Sequence, residues 1–198
     1  MRIIGITGGI GSGKTEVLSY MEKKYNCRVI LADEVAHKVK EPGQMCYDAL
    51  VALLGTEILN PDGRINKAEM AAKIFAEEAL LKQVNALIHP AVKTYILNAI
   101  KTAEEEGSLD FLFIEAALLI EDGYENIVDE LWYIYAGESV RRSRLKASRA
   151  YSDGKISDIL ERQMPEAEYR KHCRVVIDNG GDLQDTYKQI DRKLEEYL

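Results

Sequence analysis

The stretch GITGGIGSGKTE (5–16) constrains this chain more than any other. Gly8, four further residues and then Gly13-Lys14-Thr15 have the spacing of a loop that cradles phosphate. An isoleucine-rich apolar run, RIIGIT (2–7), precedes it and reads as a buried strand. KTEVLSYMEKKY (14–25) follows, with Val17, Leu18, Met21 and Tyr25 at helical spacing. Gly8, Gly9, Gly11 and Gly13 free the backbone to turn successive N–H groups toward an anion. The helix start adds its partly positive end. Lys14 supplies a full charge to the outer phosphates, and Thr15 a hydroxyl for a magnesium ion. Gly9, Ile10, Gly11, Ser12, Gly13, Lys14, Thr15 and Glu16 are therefore the candidate nucleotide contacts, and Lys14 is a catalytic candidate as well.

A strand before the loop and a helix after it begin a pattern that continues. RVILA (28–32), FLFI (111–114), LWYIYA (131–136) and RVVID (174–178) read as further strands, apolar throughout rather than alternating. Strands of that kind, separated by helical stretches, predict an α/β fold with a five-stranded parallel sheet flanked by helices. ALVALLG (49–55) reads as a helix stopped by Gly55, and NPDG (60–63) as a turn. Residues 67–105 are helix-like throughout, with Pro90 inside. Leu183, Tyr187, Ile190 and Leu194 mark the apolar face of a closing helix. The stretches 56–105 and 137–170 are longer than plain crossovers need, and each is expected to cap the sheet. No repeat or flexible linker divides the chain, so residues 1–198 are read as a single domain.

Bulk properties exclude several classes. A net charge of −7 argues against broad nucleic-acid binding. No segment approaches the roughly 20 apolar residues that span a bilayer, and MRIIGIT is too short for an export signal, so no membrane is expected. The three cysteines, Cys27, Cys46 and Cys173, are far apart and suit a reducing cytoplasm better than a disulfide framework or a zinc site. Hydrophobic residues at 46% supply a core large enough for a stable monomer.

In a parallel sheet the ligand lies beyond the carboxyl ends of the strands, which brings Asp33, Glu115 and Asn179 toward the loop. A carboxylate there needs magnesium or an acceptor hydroxyl between it and the phosphate. Asp33 is thus a metal-shell ligand or the group that takes the acceptor's proton; before EVAHKV it also suits a helix N-cap. Glu115 has the position of an acid that holds magnesium through water, or of a cap. RRSRLKASR (141–149) is the main concentration of cations, with Arg141, Arg144 and Arg149 as candidates for a lid that closes on phosphates. Some of that run is a solvated helix face, since those three cannot all point one way. His89, before Pro90, is a packing residue or a substrate contact.

Taken together these residues resemble the dephospho-coenzyme A kinase family along nearly the whole chain. GITGGIGSGKT is similar to the family's LTGGIGSGKS. VILADEVAHKVKEPG (29–43), LGTEILNPDGRINKAEMAAKIF (54–75), VNALIHP (84–90), EAALLIE (115–121) and VVIDNGG (175–181) match further blocks in order and spacing. The resemblance implies a P-loop kinase fold, with a helical substrate-binding block at about 56–105 and a lid at about 139–165. It also implies transfer of the γ-phosphoryl group of ATP to the ribose 3′-hydroxyl of dephospho-coenzyme A, with Mg2+. Asp33 would be the catalytic base, Arg144 and Arg149 catalytic lid residues, Asp33, His89 and Arg141 substrate contacts, and Asn179 a neighbour of adenine. Leu31 stands where the family often has a first Asp, Glu16 where Thr is usual, Glu115 in place of Asp and Ala117 in place of Pro. Two other readings stay open: a small kinase acting on another acceptor, and a nucleotide-binding sensor without turnover.

Overall fold

The apolar run at the start of the chain forms the central strand of the sheet. In the computed structural model, which describes residues 1–198, it is β1 (Arg2–Thr7). The chain then passes through the glycine loop into α1 (Lys14–Lys24) and β2 (Cys27–Leu31). Later come β3 (Phe111–Glu115) and β4 (Glu130–Tyr135), and after a helical stretch β5 (Val175–Asp178). The five strands lie in the order β2-β3-β1-β4-β5. The sheet is parallel: Ile4 of β1 sits opposite Phe113 of β3 on one side and Glu130 of β4 on the other. Because β3 and β4 leave β1 in opposite directions, the loop after β1 falls at the point where strand order reverses, where a crevice forms.

The strands are apolar because both faces are covered. Ile4, Ile6, Phe113, Ile114 and Trp132 have essentially no exposed surface. Burial of side chains this size contributes about 1.5–3 kcal/mol each. Gly5 is small for a packing reason, since a Cβ there would press on Leu131 and Leu119.

The chain divides into two compact units, Met1–Ile30 with Glu106–Leu198, and Leu31–Glu105. The second unit contains α2 (Ala32–Lys38), α3 (Tyr47–Leu54), α4 (Lys67–Ala76) and most of α5 (Glu78–Glu106). Gly55, at φ +83°, ends α3 as its position in the sequence predicts. Asn60 and Gly63 make the expected turn, closed by a bridge between Leu59 and Ile65. The stretch read as continuous helix breaks at Glu77, where the backbone is extended. Asn66 caps the first piece by accepting from the Ala68 and Glu69 amides. On α5, Val84, Ile88, Val92, Ile96 and Ile100 recur every four residues and build one buried stripe. Pro90 lies on another face, so its missing N–H does not interrupt the stripe.

In the first unit α6 (Glu138–Arg149), α7 (Asp153–Glu161) and α8 (Glu166–His172) connect β4 to β5, and α9 (Leu183–Glu195) closes the chain. The buried face of α9 differs from the expected one. Thr186, Ile190 and Leu194 are buried while Leu183 is exposed. A polar residue displaces the leucine because its hydroxyl has a partner at the end of β5, described below. Helix α9 packs on α1 through Tyr187 stacked on Tyr20, with ring centroids 3.8 Å apart. Asp191 of α9 accepts hydrogen bonds from the Tyr20 and Tyr25 hydroxyls and from Lys24.

Candidate functional site

The glycine loop takes the form its spacing demands. Gly13 caps α1 at φ +89°, a left-handed conformation that favours glycine. A Cβ there would also strike the Asn179 amide. Glu16 and Val17 are the first amides of α1 to bond back, both to the Gly13 carbonyl, which leaves the N–H groups before them directed out of the helix end. Lys14 folds back so that Nζ donates to the Gly8 carbonyl over 2.7 Å and lies 3.6 Å from Glu115 Oε1. The end of β3 and the start of α1 thus place an acid and a base side by side at the loop. Thr15 is exposed at the same helix end.

Behind the loop lies a set of buried bonds. The Asn179 side chain is buried, and its Nδ2 donates to the Ser12 carbonyl over 2.7 Å. Its Oδ1 accepts the Thr186 hydroxyl at 3.0 Å, and its backbone N–H donates to Tyr135. Arg144 donates from Nη1 to the same Ser12 carbonyl and from Nη2 to the Asn179 carbonyl at 2.8 Å. One carbonyl of the loop is therefore held by two side chains from separate elements. Neutral hydrogen bonds of this kind contribute about 1 kcal/mol each, and those from a charged donor about 1.5–3.

The basic run on α6 sorts itself by geometry. Arg141 lies over the loop, where a Cβ on Gly9 would collide with its guanidinium. Its Nη1 donates to Gln163 Oε1 at 3.3 Å, while its buried Nε has no partner. Arg142 is paired with Glu138 at 2.7 Å and donates to the Ser157 hydroxyl at 3.1 Å, and Lys146 is paired with Asp153. Arg149, at the exposed end of α6, stands over the Tyr151 ring rather than at the loop. Arg141 and Arg144, three positions apart, are the two arginines brought to the phosphate cradle. Glu16 accepts a hydrogen bond from the Tyr187 hydroxyl at 2.7 Å.

In the second unit, Asp33 occupies the first turn of α2 and is exposed. The N-cap of that helix is Leu31, without a side-chain bond, so Asp33 does not cap α2 as its position suggested. An acid in the first turn still meets the positive end of the helix. Burial lowers the pKa of His37, as do Lys40 and Lys67, against the opposing pull of Asp33 and Glu34. Burial, then Lys67, lowers that of Lys40. His89 lies half-buried within α5.

The donor set beside the loop suits magnesium. A carboxylate and a hydroxyl are hard oxygen ligands, and Mg2+ is commonly held by one or two of these plus substrate phosphates and water. No group of three metal-binding side chains is present to make a site from protein alone. Thiol chemistry is unsupported: burial pushes Cys27 up to about 11 and Cys173 up to about 12, and raises Cys46 as well.

Two parts of this site were not singled out from the sequence. Gln163, between α7 and α8, carried no motif signal. Thr186 was masked by the apolar periodicity around it; an uncompensated threonine at a core position was the available clue.

Comparison with known proteins extends these observations. The model of the family described as dephospho-CoA kinase matches residues 2–185. A dephospho-CoA kinase of Geobacter sulfurreducens is 36% identical over 197 residues, covering 99% of this chain and 96% of the relative. One from Oceanobacillus iheyensis is 33% identical over 195 residues, covering 98% and 97%. Among solved structures, a Thermus thermophilus protein superposes with a TM-score of 0.80 at 29% identity, covering 100% of this chain and 98% of its own. A dephospho-CoA kinase from Campylobacter jejuni, at 20% identity, shares the fold with a TM-score of 0.75 over 99% and 97%.

Proposed function

We propose that this chain, which belongs to the dephospho-CoA kinase family, transfers the γ-phosphoryl group of ATP to the ribose 3′-hydroxyl of dephospho-coenzyme A. The observation that carries the reading is the glycine loop at the reversal point of the sheet, with Lys14 and Glu115 beside it. Backbone N–H groups of the loop and the start of α1 bind the phosphates, and Lys14 leaves the Gly8 carbonyl to meet them. Arg144 and Arg141 add positive charge where it develops in the transition state, and Arg149 joins them as the segment 139–165 closes. Such arginines can contribute about 10³–10⁵ in rate.

Asp33 is assigned as the base that takes the proton of the attacking hydroxyl, supported by its position directly after β2 and by the family pattern. Residues 56–105, with His89, are assigned to the acceptor. Glu115 through water and Thr15 directly would hold Mg2+, which when bound neutralises charge on the β- and γ-phosphate oxygens. Asn179 shapes the wall on which adenine rests. No helix is long and apolar enough to cross a membrane, and a cytoplasmic monomer is part of this proposal.

The test is ADP release measured in parallel with dephospho-coenzyme A, AMP, UMP and shikimate as acceptors. Turnover with dephospho-coenzyme A alone is the expected result. Turnover only with another acceptor would replace the assignment. Binding of ATP and dephospho-coenzyme A without product would make the protein a sensor.

A further inference from the structure

Gln163 makes a contact that the phosphoryl-transfer reading leaves unexplained. Its Oε1 accepts the Ile10 backbone N–H at 3.3 Å and Arg141 Nη1 at 3.3 Å. The first donor belongs to the loop whose N–H groups serve phosphate. The second is a guanidinium, the side chain best suited to phosphate oxygens. One neutral oxygen therefore sits where a loop amide and an arginine converge. That arginine's buried Nε lacks a partner, so its hydrogen-bonding demand is only partly met. Gly9 lets the group come this close: a Cβ there would lie 3.0 Å from Gln163 Oε1. Gln163 also borders a cavity of about 520 Å³ lined by Tyr133, Tyr135, Leu160 and Tyr169, among others. That space can receive the side chain when it leaves the loop.

We propose that Gln163 is an internal stand-in for a nucleotide phosphate oxygen, which occupies Ile10 N–H and Arg141 until a polyphosphate displaces it. The inference rests on the reading of the loop as a nucleotide site. The amide oxygen is neutral and makes two long bonds. A phosphate oxygen is anionic, makes stronger bonds to the same donors and reaches the unpartnered Nε. Exchange is thus favourable but opposed by the bonds it breaks. The contact lowers affinity for the polyphosphate, assists release of nucleotide product and keeps the tip between α7 and α8 on the loop in the free protein.

Titration calorimetry with ATP and with inorganic tripolyphosphate, on wild type, Gln163→Ala and Gln163→Glu, tests this. Removing the competitor in Gln163→Ala should tighten binding of both ligands by roughly three- to tenfold, the scale of one or two net hydrogen bonds. Gln163→Glu places a carboxylate against Arg141 and should weaken both by about tenfold or more. Thermal melts on each variant separate a folding defect from a binding effect, and the two variants are expected to move affinity in opposite directions. Unchanged or weaker binding by folded Gln163→Ala would overturn the stand-in role. Wild-type protein that binds neither ligand would instead overturn the nucleotide-site reading beneath it.

Discussion

The Asn179 amide and the Ser12 carbonyl, 167 positions apart in the chain, are joined by a buried 2.7 Å hydrogen bond. It fixes the middle of the phosphate loop from the end of β5, and Thr186 fixes Asn179 in turn. Replacing Asn179 with alanine should raise the KM for ATP about tenfold or more, from the loss of the buried bonds it makes to the Ser12 carbonyl and the Thr186 hydroxyl. Thr186→Val should produce a smaller change in the same direction. Steady-state kinetics with ATP varied at saturating acceptor measures both, and an unaltered KM in Asn179→Ala would show that the loop holds its shape without the latch.

Arg144 reaches the same carbonyl, so the two latches should be coupled. The double variant Asn179→Ala/Arg144→Ala is expected to lose less ATP affinity than the sum of the singles, with an interaction of about 0.5–3 kcal/mol. Strict additivity in nucleotide titrations would mean that the shared acceptor is of no consequence.

Lys14→Ala should abolish most ATP use, since Lys14 is the loop's own full charge and sits 2.7 Å from the Gly8 carbonyl. Asp33→Asn should lower kcat by at least about 10²-fold, the scale of acid–base assistance, with ATP affinity near normal. Single-turnover rates together with nucleotide binding separate the two cases. Normal turnover in Asp33→Asn removes that residue from the mechanism.

A pH effect on stability follows from Asp191. Burial opposes its ionisation, but the bonds from Lys24, Tyr25 and Tyr20 outweigh it, and its pKa is lowered on folding. A carboxylate with a depressed folded-state pKa stabilises the fold above its unfolded pKa of about 3.9 and loses that contribution as pH falls through the folded value. At pH 7, Asp191→Asn should therefore cost about 2 kcal/mol, or roughly 4–8 °C in Tm. The gap between wild type and variant should shrink once the pH drops below about 4. Calorimetric scans across pH 3–8 follow it, and a gap independent of pH would show that the carboxylate's charge is not involved.

Much of the architecture was readable because β1, β3 and β4 are apolar on both faces, a pattern that only a covered parallel sheet explains. The loop was readable because each glycine and Lys14 answers a local requirement. What escaped was non-local. Nothing near Thr186 says that its hydroxyl finds Asn179, so periodicity assigned the core position to Leu183 instead. Nothing near Gln163 says that it meets Ile10, 153 positions earlier. Asp33 also suited a cap, because a carboxylate before a helix usually is one, but the N-cap of α2 is Leu31, two residues sooner. The arginines of α6 could be counted from the sequence, and only their partners showed that Arg142 and Lys146 serve surface ion pairs.

Because Thr186 braces Asn179, and Asn179 braces Ser12, a segment is completed by one made 167 positions later. A ribosome finishes the glycine cup long before the closing helix has emerged to steady it. Nascent chains halted before that helix should hold nucleotide poorly, and cutting the chain ahead of α9 should weaken nucleotide binding at a cup far away in sequence.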